Sequence, residues 1–425
     1  MKTKLVFAIA IIALIVSCSN HEEVIDITSL QESDFRNIRS FNEALQIAQN
    51  SIALVDGESK TRGLSPRKID LSKSKVYKMN AKTRTSSDRN DTLLYVFNFE
   101  NNQGFAVVSA ANDTDGLLAV TEQGYYDPEE ETDIEGFNMY MEIAKEYVVK
   151  KLERLSPEPY AIDSIVILAQ SSAGPYVTVK WGQKFPEGKH CPNGIAGCTN
   201  TAIMQIMSYY GYPNSISLTY PGADINTQTL NWQLMKAHQT GHRVCSDMTT
   251  HNSIGRLARQ LGELMGSSYY GTYLSDSAYT STTDYNAYTV LQLLGYTVGS
   301  WHIYNYPTYT SWSDSDFVDQ LDAQHLLLMG GQTNDGEGHS WVCDGYNYEK
   351  SIRYHFERAY PEGYILTGIF TTETYLYHYN WGWYGDCNGY FNSNVLNTTS
   401  GITNEGTTNH NYTFDHVFHY LPVYH

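Results

Sequence analysis

The chain has 425 residues, which is enough for two or more domains, or for one large domain with an appendage, and for a full hydrophobic core. Its formal net charge at pH 7 is -18, which argues against a nucleic-acid-binding protein because such proteins present a basic face.

The chain begins with the features of an export signal. Two lysines precede the apolar run from Leu5 to Val16, which is too short to span a membrane readily as a helix. The run ends in Ile15-Val16-Ser17-Cys18, which resembles the lipobox of bacterial lipoproteins. We therefore expect a signal peptide over residues 1–17, a lipid on Cys18 that anchors the protein in the periplasm or at the cell surface, and a tether over residues 18–32. The alternative is ordinary secretion with an incidental cysteine.

Residues 33–165 are predicted to form one small α+β domain. Apolar residues at helical spacing predict helices from Phe41 to Leu54 and from Gly136 to Leu155. Apolar runs over residues 93–99 and 105–110 predict two strands around a turn. The domain contains no cysteine and no catalytic cluster, which indicates a domain that binds or inhibits something.

A domain boundary is predicted near two segments rich in serine and proline, Ser156–Pro159 and Ser171–Pro175. We expect a flexible stretch from about Leu155 to Pro175 and a second domain over residues 166–425. Tyrosine, glycine, tryptophan and asparagine become frequent in this second domain, while lysine becomes sparse.

A cysteine opens a predicted helix at Cys198. Apolar residues recur at three- and four-residue steps up to Tyr210, Gly211 suits a left-handed helix end, and Pro213 prevents the helix from continuing. The free N–H groups and the positive end of the helix dipole favour a thiolate at this position, and Gly197 leaves room for a partner beside the sulfur. The alternative is a buried structural cysteine.

Three further segments contain candidate partners for this thiol. A glycine-rich loop leads to His339, which lies 141 residues (339 − 198) after Cys198, a separation found between nucleophile and base in papain-like enzymes. Gln183, upstream of the cysteine, could donate a hydrogen bond to a developing oxyanion. Asn380 or Trp381 could orient the imidazole and shield it from water, although the same segment would also suit a strand and turn with core tryptophans.

Together these motifs resemble the streptopain family of cysteine peptidases. The resemblance is carried by four segments in the right order: Trp181-Gly182-Gln183, Gly197-Cys198 with the helix to Tyr212-Pro213, Gly338-His339 to Asp344-Gly345, and Asn380-Trp381-Gly382-Trp383 to Gly389-Tyr390-Phe391. It implies an α+β fold, namely a papain-like peptidase domain with a helical half and an antiparallel β half. A small α+β propeptide would precede this domain, and residues 95–120 resemble that propeptide.

The resemblance also implies a cysteine endopeptidase that is made as a zymogen and hydrolyses peptide bonds through a thioester. Cys198 would be the nucleophile and His339 the general base and acid. Gln183 would help to form the oxyanion hole, and Trp381, with Asn380 beside it, would pack against His339 and position it. The papain-type cysteine signature is absent, and residues 349–372 look like an insertion between His339 and Asn380.

The implied partners are protein or peptide substrates, the protein's own propeptide as an intramolecular inhibitor, and the membrane through the lipid on Cys18. Cleavage of the propeptide would allow release of the mature form. No cofactor is implied, and the chain has no C-x-x-C spacing that would indicate a metal site. The cysteines of the second domain other than Cys198 allow three disulfide pairings in an exported protein: Cys191, Cys245, Cys343 and Cys387. Two other functions stay open, a papain-like amidase or acyltransferase and a catalytically inert surface binding protein.

Overall fold

The computed structural model describes residues 38–56, 67–78, 92–154, 161–223, 226–238, 247–300, 302–304, 313–332, 338–359, 363–396 and 417–425. All of them belong to one compact unit, Arg36–His425. The predicted signal peptide over residues 1–17, the tether over residues 18–32 and Cys245 lie outside the described residues. Within the described stretches, no helix combines the length and the apolar character needed to cross a membrane.

The N-terminal region, residues 38–154, is a four-stranded antiparallel sheet between two helices. Every residue of its three inner strands is buried. Val96 and Val107 face one helix, and Phe97 and Val108, one position along, face the other, because successive strand side chains point to opposite faces. The elements are α1 (Phe41–Asp56), β1 (Lys75–Lys78), β2 (Thr92–Asn98), β3 (Phe105–Ser109), β4 (Leu117–Thr121) and α2 (Glu135–Arg154). The helices and strands predicted for this region are confirmed.

The helical half of the C-terminal region is built around a helix that starts at Cys198. This helix packs against its three helical neighbours, and ten of its 13 residues are buried. A helix that is buried on nearly every side must place its polar residues in hydrogen bonds. The elements are α3 (Cys198–Tyr210), β6 (Ser215–Ser217), β7 (Thr227–Thr229), α4 (Trp232–Ala237), α5 (Met248–Leu264), β8 (Ser268–Tyr270), β9 (Tyr279–Ser281) and α6 (Asp284–Leu293).

The other half is an antiparallel sheet with helix α3 on one face. Leu328 and Val342 pack toward α3, while Leu327 and Met329 pack on the opposite face with Phe317 of a short helix. The elements are β10 (Thr297–Val298), β11 (His302–Tyr304), α7 (Asp314–Asp322), β12 (Leu326–Gln332), β13 (Gly338–Ala359), β14 (Gly363–Asn380), β15 (Gly389–Asn392), α8 (Ser393–Leu396) and β16 (Val417–Tyr424). The fold is therefore α+β with a helical half and an antiparallel β half, as predicted.

One sheet runs through both regions of the molecule. Strand β4 of the N-terminal region pairs antiparallel with β15, with Thr121 opposite Gly389 and Ala119 opposite Phe391. The resulting order is β1-β2-β3-β4-β15-β14-β13-β12-β16-β10. Backbone hydrogen bonds therefore join the N-terminal region to the C-terminal region.

The apparent insertion forms a three-stranded arm with the segment between the two regions. Strands β13 and β14 pair with each other to the end of the arm, and β5 (Ala161–Ala173) pairs with β13 from Tyr346 to Glu357. The prediction of a flexible stretch from Leu155 to Pro175 is therefore wrong for residues 161–173. These residues include a β-branched, apolar run that favours a strand, and its partner lies far away in the chain. The arm exposes a group of large apolar side chains: Ile165, Val166, Ile167, Leu168, Ile365, Leu366, Ile369 and Phe370.

Candidate active site

Cys198 is the first residue of α3, as the sequence predicted. Gly197 before it has a φ of 95°, which residues with a side chain rarely adopt, and a Cβ there would lie 3.2 Å from the Thr280 side chain. At the other end of the helix, Gly211 is left-handed and donates its N–H to the carbonyl of Met207. The half-buried thiol of Cys198 is thus held at the end of the helix whose N–H groups lack helical partners.

His339 is the second residue of β13 and is buried beside Cys198. Burial opposes ionisation of both side chains, but the interaction with His339 and the backbone N–H of Ser340 lower the pKa of Cys198. In the same way, burial lowers the pKa of His339, but Cys198 and Glu135 outweigh it, so that this pKa is raised. The electrostatics therefore favour a thiolate next to an imidazolium, which is the reactive state of a nucleophilic cysteine.

The imidazole of His339 is oriented by a backbone carbonyl and by two indoles. Its Nε2 donates a hydrogen bond to the carbonyl oxygen of Trp381, 2.9 Å away. The ring of Trp341 lies nearly parallel to the imidazole at 6.4 Å between centroids, and the Trp381 ring lies at 6.5 Å. With Nε2 fixed in this way, Nδ1 is the nitrogen left to exchange a proton, and no described atom bonds to it with good hydrogen-bond geometry.

Asn380 holds the segment that carries the Trp381 carbonyl. Its side-chain oxygen accepts hydrogen bonds from Gln205 Nε2 at 2.9 Å and from the Gly382 N–H at 3.3 Å. Its side-chain nitrogen donates to the carbonyl of Val179 at 3.1 Å. The structure therefore brings both Asn380 and Trp381 to the site, but the contact with His339 comes from Trp381.

The backbone at Gln183 is hydrogen-bonded to residues on both sides of Cys198 in the sequence. Its carbonyl oxygen accepts from the N–H of Ala196 at 2.7 Å, two residues before the cysteine. The preceding carbonyl, that of Gly182, accepts from Thr201 Oγ1 at 3.0 Å, in the first turn of α3. The largely buried side chain of Gln183 is therefore carried on a loop fastened to the start of the cysteine helix.

Glu135 and Gly136 contact the site, although no sequence pattern indicated this contact. The carboxylate of Glu135, at the start of α2, lies 3.5 Å from Nδ1 of His339. A Cβ on Gly136 would lie 2.5 Å from His339 Cδ2 and 2.8 Å from Trp381 Cε3, so only a glycine fits there without movement. The first turn of α2 therefore covers the imidazole directly. No motif marked these residues, because the contact depends on how the two regions dock.

Ser340 and Gln205 were also missed, although both are adjacent to predicted features. Ser340 follows the histidine, and its hydroxyl lies 2.9 Å from the hydroxyl of Thr199, which joins the start of β13 to the start of α3. Gln205 is a fully buried polar residue in the cysteine helix. A buried polar position in an apolar helix is a usable signal for such a role.

The other described cysteines are free and buried, so none of the predicted disulfide pairings is present among Cys191, Cys343 and Cys387. Burial raises the pKa of Cys191 to about 12 and raises that of Cys343 and of Cys387 as well. In the described part of the chain, no group of three or more His, Cys, Asp or Glu side chains is arranged to hold a metal ion.

Comparisons with known proteins give two family matches. A family model described as the Peptidase C10 family matches residues 178–391, which is half of the chain, and one described as Spi protease inhibitor matches residues 32–148. A curated relative, thiol protease/hemagglutinin PrtT of Porphyromonas gingivalis, is 22% identical over 359 residues. That alignment covers 76% of this chain but 36% of the relative, so the chain spans about a third of the relative's length.

Among solved structures, a fragment of prointerpain A from Prevotella intermedia is similar at a TM-score of 0.49 and 20% identity, over 81% of this chain and 98% of that chain. The match over residues 178–391 includes the cysteine, the histidine and the Asn-Trp segment, and the match to the inhibitor model includes Glu135 and Gly136. The chain therefore belongs to the Peptidase C10, or streptopain, family of cysteine peptidases, with an inhibitor-type propeptide region in front of the peptidase domain.

Proposed function

We propose that this protein is an exported cysteine endopeptidase that is made as a zymogen and hydrolyses peptide bonds through Cys198 and His339. The observation that carries the proposal is the pairing of these two side chains at the start of α3, where the pKa of the thiol is lowered and that of the imidazole is raised. Such an ion pair supplies a nucleophile and a proton donor at the same place. Neither is needed by a protein that only binds.

The proposed reaction begins when the Cys198 thiolate attacks the carbonyl carbon of a peptide bond. The backbone N–H of Cys198 and the side-chain amide of Gln183 hold the oxyanion that develops. His339 gives its proton to the leaving amine nitrogen as the C–N bond breaks, which leaves an acyl thioester on the sulfur. Water then attacks the thioester while His339 takes up one of its protons, and the thiolate is released with the acid product.

Asn380 and Trp381 have positioning roles in this proposal. The carbonyl of Trp381 fixes the tautomer of His339 that keeps Nδ1 free for proton exchange. The indole of Trp381 shields the imidazole from water, and Asn380 anchors the chain on which Trp381 is carried. Protein and peptide substrates would approach Cys198 from the side that the first turn of α2 now covers.

The proposed propeptide spans residues 33–165, and the proposed peptidase domain spans residues 166–425. Glu135 and Gly136 support inhibition within the same chain, because they occupy the space next to His339. Export and anchoring by a lipid on Cys18 rest on the apolar leader and its lipobox. Removal of the propeptide would both open the site and separate the peptidase domain from its anchor.

The test is the intact mass of the purified chain from Ser19 onward, followed over time beside Cys198→Ala. The parent should lose its N-terminal region and then hydrolyse a fluorogenic peptide, while the variant should do neither. Cys343→Ala is the matched control, because it removes a buried thiol that has no part in the reaction. If the parent does not hydrolyse peptides even after a trace of trypsin has removed the N-terminal region, the peptidase function is rejected in favour of an amidase or a binding protein.

A further inference from the structure

The edge of β15 holds an extended segment of the N-terminal region by backbone contacts. Strand β4 pairs with β15 over Ala119, Val120 and Thr121. The contact continues past the strand, since the Glu122 N–H donates to the Asn388 carbonyl at 2.8 Å and the Cys387 N–H donates to the Gln123 carbonyl at 3.2 Å. Backbone bonds of this kind accept any extended chain, so side chains must provide the selectivity.

Close approach of the two strands depends on Gly389. A Cβ at this position would lie 2.2 Å from the carbonyl oxygen of Val120. A side chain there would therefore separate β15 from β4. The edge is shaped for a strand that lies directly against it.

The Glu122 side chain fits between two cationic groups of the peptidase domain. One carboxylate oxygen lies 3.5 Å from Nε2 of His378, and the other lies 3.8 Å from Nζ of Lys180. His378 is 2% exposed, and among the described carboxylates only that of Glu122 lies within ion-pair distance of its Nε2. A buried ring N–H that lacks an acceptor destabilises the fold, so binding of a negatively charged group at this position is favourable.

Asp344, next to Nδ1 of His378, stabilises the positive charge on this imidazole. The two side chains are 2.6 Å apart, Asp344 is fully buried, and its second oxygen accepts the Val177 N–H at 2.7 Å. Burial lowers the pKa of His378, but Asp344 and Glu122 outweigh it and raise this pKa to about 10. Burial raises the pKa of Glu122, but His378 and Lys180 outweigh it and lower this pKa to about 2. The pairing therefore favours the charged form of both the carboxylate and the imidazole.

The residue after the carboxylate is also recognised. Gln123 donates from Nε2 to Asp386 Oδ1 at 2.7 Å, and its Oε1 lies 3.4 Å from Nζ of Lys180. Lys180 thus contacts both Glu122 and Gln123. The edge of β15 pairs with the peptide backbone, Lys180 and His378 bind the carboxylate, and Asp386 binds the next amide. Together these contacts form a site that can recognise a short peptide.

We propose that this surface, which we call the β15 site (Gly389–Asn392 with Lys180 and His378), is a docking site for an extended acidic segment of protein substrates. Strand β4 with Glu122 fills it in the zymogen, and removal of the propeptide vacates it. The partner that fits is an unpaired strand followed by a glutamate or aspartate. The inference rests on the proposed function, because only the loss of the propeptide uncovers the site.

The first test uses the mature enzyme with its thiol blocked by iodoacetamide, so that no peptide is consumed. A fluorescent peptide of residues 117–123 should bind to it, and the same peptide with Gln in place of Glu122 should bind at least about tenfold more weakly. Lys180→Met should reduce that difference, with His378 keeping the rest of it, whereas Lys184→Met, at an exposed lysine four residues further on, should leave it intact. The full-length Cys198→Ala chain should bind neither peptide, because its own β4 occupies the edge.

The second test asks whether substrates use the site. The peptide should slow the hydrolysis of β-casein by the unblocked mature enzyme and leave the hydrolysis of a short fluorogenic peptide unchanged. Equal binding of the Glu and Gln peptides, or equal slowing of both substrates, would overturn the proposal, since the peptide would then lie elsewhere or beside Cys198 and His339. Loss of peptidase activity would be seen separately with the fluorogenic peptide, so failure of the proposed function is distinguishable from failure of the β15 site.

Discussion

The carboxylate of Glu135 lies 3.5 Å from Nδ1 of His339, so a side chain of the propeptide region forms an ion pair with the imidazole beside Cys198. The negative charge raises the pKa of His339 and also that of Cys198. It therefore favours the imidazolium but disfavours the thiolate. The propeptide region thus changes the electrostatics of these two side chains as well as covering the imidazole.

Glu135→Gln should lower the pKa of both groups in the full-length chain. The pH at which iodoacetamide begins to alkylate Cys198 should then move down, but only slightly, since the Glu135 side chain is 58% exposed and solvent screens its charge. Mass spectrometry of the alkylated chain gives the rate at each pH. Glu142→Gln, an exposed position on the same helix, is the control. A shift upward, or a shift that persists after the propeptide is removed, would contradict the assignment.

Gly136→Ala should weaken the packing of the propeptide region against His339 and Trp381. The new Cβ would meet His339 and Trp381 at well under contact distance, and overpacking of this kind costs about 1–3 kcal/mol. Alanine is the better helix former by about 0.5–1 kcal/mol, which offsets only part of that cost. Maturation, measured as the half-time for loss of the N-terminal region, should therefore become faster. The mature enzyme should keep its kcat/KM, because the altered residue is gone, and Glu142→Ala should mature like the parent.

The thiols should differ sharply in reactivity. Brief treatment of the native chain with iodoacetamide should modify Cys198, while Cys191, Cys343 and Cys387 should react only after denaturation, because burial raises their pKa. Labelling the remaining thiols with N-ethylmaleimide in denaturant and mapping the peptides distinguishes the two classes. Recovery of two of these three cysteines as a disulfide-linked peptide would show that the free thiols of the structure are not the state in solution.

Asn380→Ala should destabilise the chain by about 1–3 kcal/mol, because it leaves the buried amide of Gln205 without its 2.9 Å acceptor. Urea unfolding of the variant in a Cys198→Ala background measures this change without self-cleavage. Asn50→Ala, at an exposed helix position, should stay within about 0.5 kcal/mol of the parent. In the active background kcat should fall more than KM rises, since the variant loosens the Trp381 carbonyl and not a substrate contact. An unchanged kcat would exclude the positioning role.

The mature chain should begin before Ala161, so that residues 161–165, the last of the proposed propeptide, stay with the peptidase domain. Strand β5 is paired with β13 along its length, and a paired strand is a poor substrate for a peptidase. N-terminal sequencing of the self-processed protein checks this directly. Joining Lys350 to Glu373 through an Asn-Gly turn, at a cross-strand pair of the arm, removes the partner of residues 161–167 and should open new cleavage sites there. A parent N-terminus within β5 would show that the arm does not protect the junction.

The sequence was sufficient for the features that depend on local pattern and on motif order. The cysteine helix with its glycine boundaries, the family, and four elements of the N-terminal region, α1, α2, β2 and β3, were predicted correctly. Local periodicity decides such elements, because a helix or strand must present its apolar face at a fixed spacing.

The contacts that cross the molecule could not be predicted in this way. The pairing of β4 with β15, the pairing of β5 with β13, and the position of Glu135 beside His339 each join residues far apart in the chain. Strand propensity alone did not distinguish β5 from a loop, because its serine- and proline-rich flanks resemble a linker and its partner is an insertion. Asn380 and Trp381 were both candidates to orient His339, and the atom that contacts the imidazole is the carbonyl oxygen of Trp381.

The two strands that pair at this junction, β4 and β15, are made at different times during synthesis. The propeptide region leaves the ribosome first, then the segment with Cys198, then His339, and β15 only afterwards. N-terminal units generally fold first in a growing chain, so β4 and the first turn of α2 can form before β15 is made. The edge of β4 is therefore available for pairing before Cys198 and His339 can come together.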